Sequence, residues 1–376
     1  MSKRKHHFVP RFYLKAFASA PKRIHLYNLR RGRAIDNASL ADQCYQHRFY
    51  GPTEDLENAL MAMENKIAPV VRSTAENRSL PLDSADRDWL LTFVALQSLR
   101  TAAAANEVKT SADLFAEAVW RPGVEGRDSG IEEMRIDEHE AVLLSLSSFG
   151  DILAGIVDLQ VHLVCTPETT PFVTSDNPTY RYNLYCEGIR DRGTVGWAQR
   201  GFQIFVPLSP TTLLLLSDAS VYKIGSRKSP DVVHASAGDV RTLNRLQFLS
   251  ADENVYFHAW TLAQHCRDLN LETRRLRDNG GARVLEFIDK EDANHGLLHS
   301  FQQMPDLKLQ LSFMSIRRSA RRVPLFNRPE VLRGLGDDGV RAKTVMRPND
   351  ADHHVFVRAD SPSNQNFPSR HSPRQR

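Results

Sequence analysis

The sequence predicts an α+β fold, on three observations. Apolar residues recur at spacings of three and four through the N-terminal half, as amphipathic helices require. Short β-rich runs bounded by Pro, Asp or Gly gather after about residue 159. Helices and strands therefore cluster instead of alternating, which argues against a doubly wound parallel sheet. The expected order is an N-terminal β-hairpin and helical region, then a mixed or antiparallel sheet, then a disordered basic C-terminal tail. Residues 1–316 are expected to form a single α+β domain, with 317–376 as the tail.

Taken in order, "RIHLYNLRRGRAIDNASL" reads as a hairpin, with Ile24, Leu26 and Leu29 in an extended run and Arg31-Gly32-Arg33 as its turn. Gly51-Pro52 punctuates, and Thr53 is the expected cap of a helix carrying Glu54 and Asp55 in its first turn. Leu56, Leu60, Met63 and Ile67 form its apolar face. "DSADRDWLLTFVALQSLRT" is the clearest helix, with Ser84 as the expected cap and Leu90, Phe93, Val94 and Gln97 on one face. A further helix should end at Arg121-Pro122-Gly123, and another should run from Asp137 to about Leu153. Strands are expected at 159–166, 171–176, 202–209 and 211–218, and a helix then a strand in "DVRTLNRLQFLSADENVYFHAW". A last strand is expected in "LKLQLSFMSI".

A hydrophobic content of 41% is ample for a core, and 25% charged residues is ordinary for a soluble chain of 376 residues. No run approaches the roughly 20 apolar residues that cross a bilayer, so no membrane partner is expected. The start, Met-Ser-Lys-Arg-Lys, has no apolar signal segment, and the four cysteines are scattered, which points to reduced thiols and a cytoplasmic location. The net charge of +4 is uneven. Residues 317–376 hold 13 Lys and Arg against 6 Asp and Glu, leaving 1–316 at −3. Such a tail can hold nucleic acid electrostatically, although basic runs are more often simply solvated.

No phosphate-cradling glycine loop, H-E-x-x-H or G-x-S-x-G occurs. The candidate site is instead a set of polar residues placed where apolar ones would pack more cheaply. His6 and His7 adjoin Phe8 and Val9. Gln97 and Arg100 lie on the apolar helix. Ser175, Asp176 and Asn177 sit at a strand end, where an Asx-turn closed by Pro178 is an equal reading. Asn244 is a poor helix former in mid-helix. An unpaired amide on a buried stripe costs about 1–3 kcal/mol, so Gln97 needs a partner.

"HHFVP" is similar to the opening of HNH-type nucleases. The pattern departs downstream, where Asn28 and His47 stand 19 residues apart, too far for that compact metal finger. "HHFVPRFYLKAF", "RIHLYNL", "QHRFYG", "FVALQSLRT", "FVTSDNP", "FVPLSP" and "VRTLNRLQFLSA" follow one another in this order. That succession, over roughly residues 5–260, resembles the family designated domain of unknown function 4238. The resemblance implies a mainly bacterial, soluble family with no established reaction. It also implies that His6, His7, Gln97, Arg100, Ser175, Asp176, Asn177 and Asn244 are characteristic polar positions.

These residues support one expectation and a rival. The first is a hydrolase or nuclease acting on a phosphorylated or nucleic-acid substrate, with His7 or His6 as general base or ligand of a divalent metal. Asp176 would orient that base or bind the metal. Arg100 would neutralise an anionic group, and Gln97, Ser175, Asn177 and Asn244 would bind substrate or water. The rival is a non-catalytic binding or interaction protein in which the same residues form a buried structural network.

Overall fold

A computed structural model describes residues 5–119, 135–189, 192–226, 231–288, 296–320 and 373–374. The fold is α+β. The chain opens with β1 (Lys5–His7), α1 (Arg11–Leu14), the hairpin β2 (Arg23–Asn28) and β3 (Arg33–Ser39), and β4 (Tyr45–His47). Helices α2 (Asp55–Asn77), α3 (Ser84–Leu99), α4 (Ala102–Val119), α5 (Glu138–Ser147) and α6 (Phe149–Ile156) follow. Then come β5 (Gln160–Cys165), β6 (Thr174–Ser175), β7 (Tyr180–Tyr182), β8 (Gln203–Ser209), β9 (Thr212–Ser217), β10 (Tyr222–Ile224) and β11 (Val232–His234). The last elements are α7 (Ala237–Ser250), β12 (Asn254–Phe257), α8 (Ala263–Arg277), the hairpin β13 (Gly281–Ile288) and β14 (Gly296–Gln303), β15 (Met314–Ile316), and β16 (Pro373–Arg374) against β13.

Two sheets dominate. One is five-stranded in the order β11-β5-β9-β8-β7, antiparallel except for the parallel β11–β5 pair. The other is four-stranded and antiparallel, β3-β2-β12-β6. Strands β8 and β9 are apolar at nearly every position because both faces of their sheet are covered. Ile204, Val206, Leu214 and Leu216 point into a core shared with α2, α3 and α6. Their neighbours Phe205, Leu213 and Leu215 point the other way, against Val240, Leu243 and Leu246 of α7 and against Leu307, Leu309 and Leu311. A third core joins Tyr27, Val255 and Phe257 to Phe248 of α7 and Leu269 of α8.

The hairpin turns at Gly32, whose φ of +61° suits glycine. Several boundaries differ from expectation. Asp55 opens α2 behind Glu54, and no side chain caps it, so Thr53 is not the cap. Asp83, not Ser84, caps α3, because its carboxylate reaches the Ala85 N–H at 2.7 Å. Asp137, the expected start of the next helix, is the cap of α5, in a capping box with Glu140. The single helix expected to Leu153 is two, broken at Ser148, whose φ/ψ of −78°/1° is not helical. The end expected at Arg121-Pro122-Gly123 lies outside the described residues.

The strand expected at 171–176 shrinks to Thr174–Ser175 because Asn244 occupies the backbone before it. Its side chain accepts from Val173 N–H and donates to the Pro171 carbonyl, both at 3.0 Å. Likewise only Met314–Ile316 of 307–316 pairs, with β10. Leu307, Leu309 and Leu311 are buried at alternate positions, but carboxylates replace the ladder: Leu309 N–H donates to Glu187 and Ser312 N–H to Asp239. The body continues past 316, since Arg317 donates to the Ala219 and Tyr222 carbonyls and Ala320 is buried. Apart from 317–320 and 373–374, the basic tail lies outside the described residues. No helix among the described residues is long and apolar enough to cross a membrane.

Candidate functional site

The eight polar residues fall into two groups. The first surrounds β1. His6 is buried, stacks on Tyr50 and accepts the Tyr50 N–H through Nδ1 at 3.1 Å. Gly51 follows Tyr50 at φ +108°, where a Cβ would stand 2.8 Å from the His139 ring. His7 is half-buried, with Nε2 3.2 Å from the Ala41 carbonyl, and burial holds its pKa below the usual histidine value.

Gln97 and Arg100 leave α3 one turn apart and reach the same short stretch. Gln97 Nε2 donates to the Phe8 carbonyl at 3.2 Å, while its Oε1 is buried without a partner. Arg100 donates to the His7 carbonyl at 2.8 Å, to Tyr50 Oη at 3.1 Å and to Glu64 at 2.7 Å. Burial alone would lower the Arg100 pKa, but Tyr50 and Glu64 outweigh it and hold the guanidinium charged. Burial raises the Tyr50 hydroxyl to about 12. So the arginine's fork is spent on protein partners.

The second group lies where β6 meets α7. Asp176 is 5% exposed, and its carboxylate accepts three backbone N–H groups, from Asp252, Glu253 and Asn254, at 2.8–2.9 Å. It thereby closes the turn between α7 and β12. Burial pushes its pKa up to about 7, against the pull of those three N–H groups. Ser175 Oγ lies 2.9 Å from both the Asn177 carbonyl and Gln247 Oε1, which share its single proton. Asn177 donates to the Ser250 carbonyl, and Asn244 holds the strand backbone as described. The groups meet where Thr101, just past α3, donates to Asn177 Oδ1 at 3.0 Å.

Among the described residues no hydrogen bond or ion pair joins His7 to Asp176. Nor are three or more His, Cys, Asp or Glu side chains grouped as a metal ion would need. Among the described residues these side chains thus form no three-ligand cage for the divalent metal expected from sequence. The four cysteines are free and buried. Cys44 touches the Tyr256 hydroxyl at 3.2 Å, and burial raises its thiol well above its usual range, so it is inert.

Two clefts flank this set. One, of about 640 Å³, is walled by Phe12 and Lys15 of the opening segment, Arg72 of α2, Arg78 just past its end, Leu208 to Thr211, and His258. The other, of about 430 Å³, touches the polar set through Asn177 and Ser250. Its far walls are α4, Arg277 at the end of α8, and the base of the β13–β14 hairpin. Of the eight residues only Asn177 lines either cleft. Arg277, Tyr180 and Thr179, which line the smaller one, escape sequence reasoning. Arg277 reads as one more basic residue of a polar helix, and Tyr180 as an ordinary strand residue.

No curated protein and no solved structure matches the chain. A family model described as "Protein of unknown function (DUF4238)" matches residues 5–260. That span takes in β1 to β12 and all eight polar residues, and it covers more than half of the 376 residues. The chain belongs to this family.

Proposed function

We propose that this chain is a non-catalytic binding protein, and that its polar set is a frame that holds the fold. One observation carries the reading: Asp176, Arg100, Gln97 and Asn244 each bond backbone groups of a short irregular stretch. Asp176 takes three N–H groups of one turn, Arg100 and Gln97 grip successive carbonyls of 7–8, and Asn244 spans 171–173. A general base needs a free lone pair facing a substrate within hydrogen-bond reach. Asp176 Oδ2 accepts two N–H groups and Oδ1 accepts one, and neither His7 nor Asp176 lines either cleft. That geometry favours a structural role for Asp176 over that of an orienting acid in a hydrolase.

Urea denaturation of Asp176→Asn and Arg100→Met tests this. Each should lose stability, Asp176→Asn by about 1–3 kcal/mol as a carboxylate acceptor becomes an amide facing N–H donors. Variants as stable as the wild type would instead mark a functional site held at no structural benefit.

A further inference from the structure

The smaller cleft carries an observation that the frame does not explain. Arg277 lines it, half-buried, at the last turn of α8. Among the described residues its one hydrogen bond goes to Asn270 Oδ1, at 2.8 Å, and no carboxylate pairs with it. Asp278 beside it and Arg274 one turn back act only through space, and burial lowers its pKa. A guanidinium has five N–H donors in a planar fork. One bond leaves most of that capacity unspent on a charge already partly stripped of water. The cleft's other arginine, Arg181, is paired with Glu107.

The rest of the lining is rich in neutral hydrogen-bonding groups. Tyr180 is 6% exposed, and its hydroxyl is buried with no partner. Asn106, Thr110, Gln302 and Ser250 share the wall with the apolar Val195, Leu249, Met304 and Pro305. A volume of about 430 Å³ is at the small end of ligand pockets. An apolar ligand would leave Arg277 and Tyr180 desolvated without compensation, and a cation would be repelled.

We infer that this cleft binds a small hydroxylated organic anion, its anionic group on Arg277 and its hydroxyls on the surrounding amide and hydroxyl side chains. A phosphate monoester and a carboxylate share the chemistry that an arginine fork recognises. The inference rests on the binding-protein reading, and it adds the site and the ligand class. Arg277 and Gln302 lie outside the residues matched by the family model, whereas Asn177 and Ser250 lie inside them. The anion contact thus comes from the C-terminal part of this chain, mounted on the family's frame.

Calorimetric titration of the full chain at low salt tests it, with ribose 5-phosphate, citrate and ribose as probes. Ribose 5-phosphate or citrate should bind and ribose should not, and whichever anion binds identifies phosphate or carboxylate. Arg277→Gln should weaken that binding by about tenfold or more, with Arg277→Lys between it and the wild type. On the wild type, the bound anion should also protect Arg277 from phenylglyoxal, read by mass spectrometry, so the test does not depend on the variants folding. No binding by either anion, or unchanged binding in Arg277→Gln, overturns the site. Release of inorganic phosphate from bound ribose 5-phosphate would overturn the non-catalytic reading while leaving the site standing.

Discussion

Asp176 shows most clearly how a residue's chemistry can be read correctly and its partner missed. A carboxylate at a strand end can serve a reaction, close a local turn, or hold something distant. It does the third, binding N–H groups 76 to 78 residues downstream. No local spacing encodes that pairing. Its pKa, raised to about 7, makes a signed prediction. Between about pH 4, where an unfolded Asp titrates, and about 7, the folded chain holds a proton that the unfolded chain releases. This contribution is fully present below about pH 4 and is lost as pH rises through about 7. His7 and His258, lowered by burial, push the other way. The comparison with Asp176→Asn isolates the effect: in urea titrations from pH 4.5 to 7.5, the stability gap between wild type and variant should narrow as pH rises. Gly51 offers a second test at this scale. Its φ of +108° opposes a side chain, and so does the His139 ring, 2.8 Å from where a Cβ would stand. Gly51→Ala should cost about 1–3 kcal/mol, read by thermal or chemical denaturation.

Between elements, the frame works by pinning a short irregular stretch to a long regular one. Strand β1 has three residues and pairs only with the equally short β4. Two short strands are marginal alone, so the grip of Gln97 and Arg100 on the carbonyls of 7–8 supplies what the ladder lacks. Arg100 is bonded to Glu64 of α2 as well, which ties α2, α3 and β1 together. Arg100→Met should cost about 3 kcal/mol or more, because Glu64 and two carbonyl or hydroxyl partners lose their donor together. A double-mutant cycle with Glu64→Gln should show coupling above about 0.5 kcal/mol, since the two share one network.

The same scale explains what was legible. Strands β5, β8 and β9 stood out because burial on both faces makes them continuous apolar runs bounded by turn residues. The α7–β12 step was visible from the end of its apolar period. By contrast, α8 is mostly polar, and neither it nor the hairpin β13–β14 is among the expected elements. The segment 307–312 has strand alternation without a strand, because Glu187 and Asp239 take the N–H groups of Leu309 and Ser312 that a neighbouring strand would. Periodicity reports which side chains go inward; it is silent on which group satisfies the backbone.

Across the whole molecule, α7 is the hub. It packs Leu243 and Leu246 on the five-stranded sheet and Phe248 on the four-stranded sheet. Its polar residues Asn244, Gln247 and Ser250 hold 171–179. That explains why Asn is tolerated in mid-helix: its side-chain bonds to Pro171 and Val173 replace those a strand would have made there. All eight candidate residues were legible as unusual. Their convergence on this hub and on β1 was not, because it depends on contacts between residues as far as 93 positions apart.

The frame's central claim is that Asp176 is spent on structure, and amide hydrogen exchange measures this most directly. The amides of Asp252, Glu253 and Asn254 follow a helix end, where turn amides ordinarily exchange fast. In the wild type they should be protected nearly as well as the core strands, and Asp176→Asn should release them selectively while the β8–β9 amides stay protected. Fast exchange of these three amides in the wild type, or protection unchanged in the variant, would contradict the account.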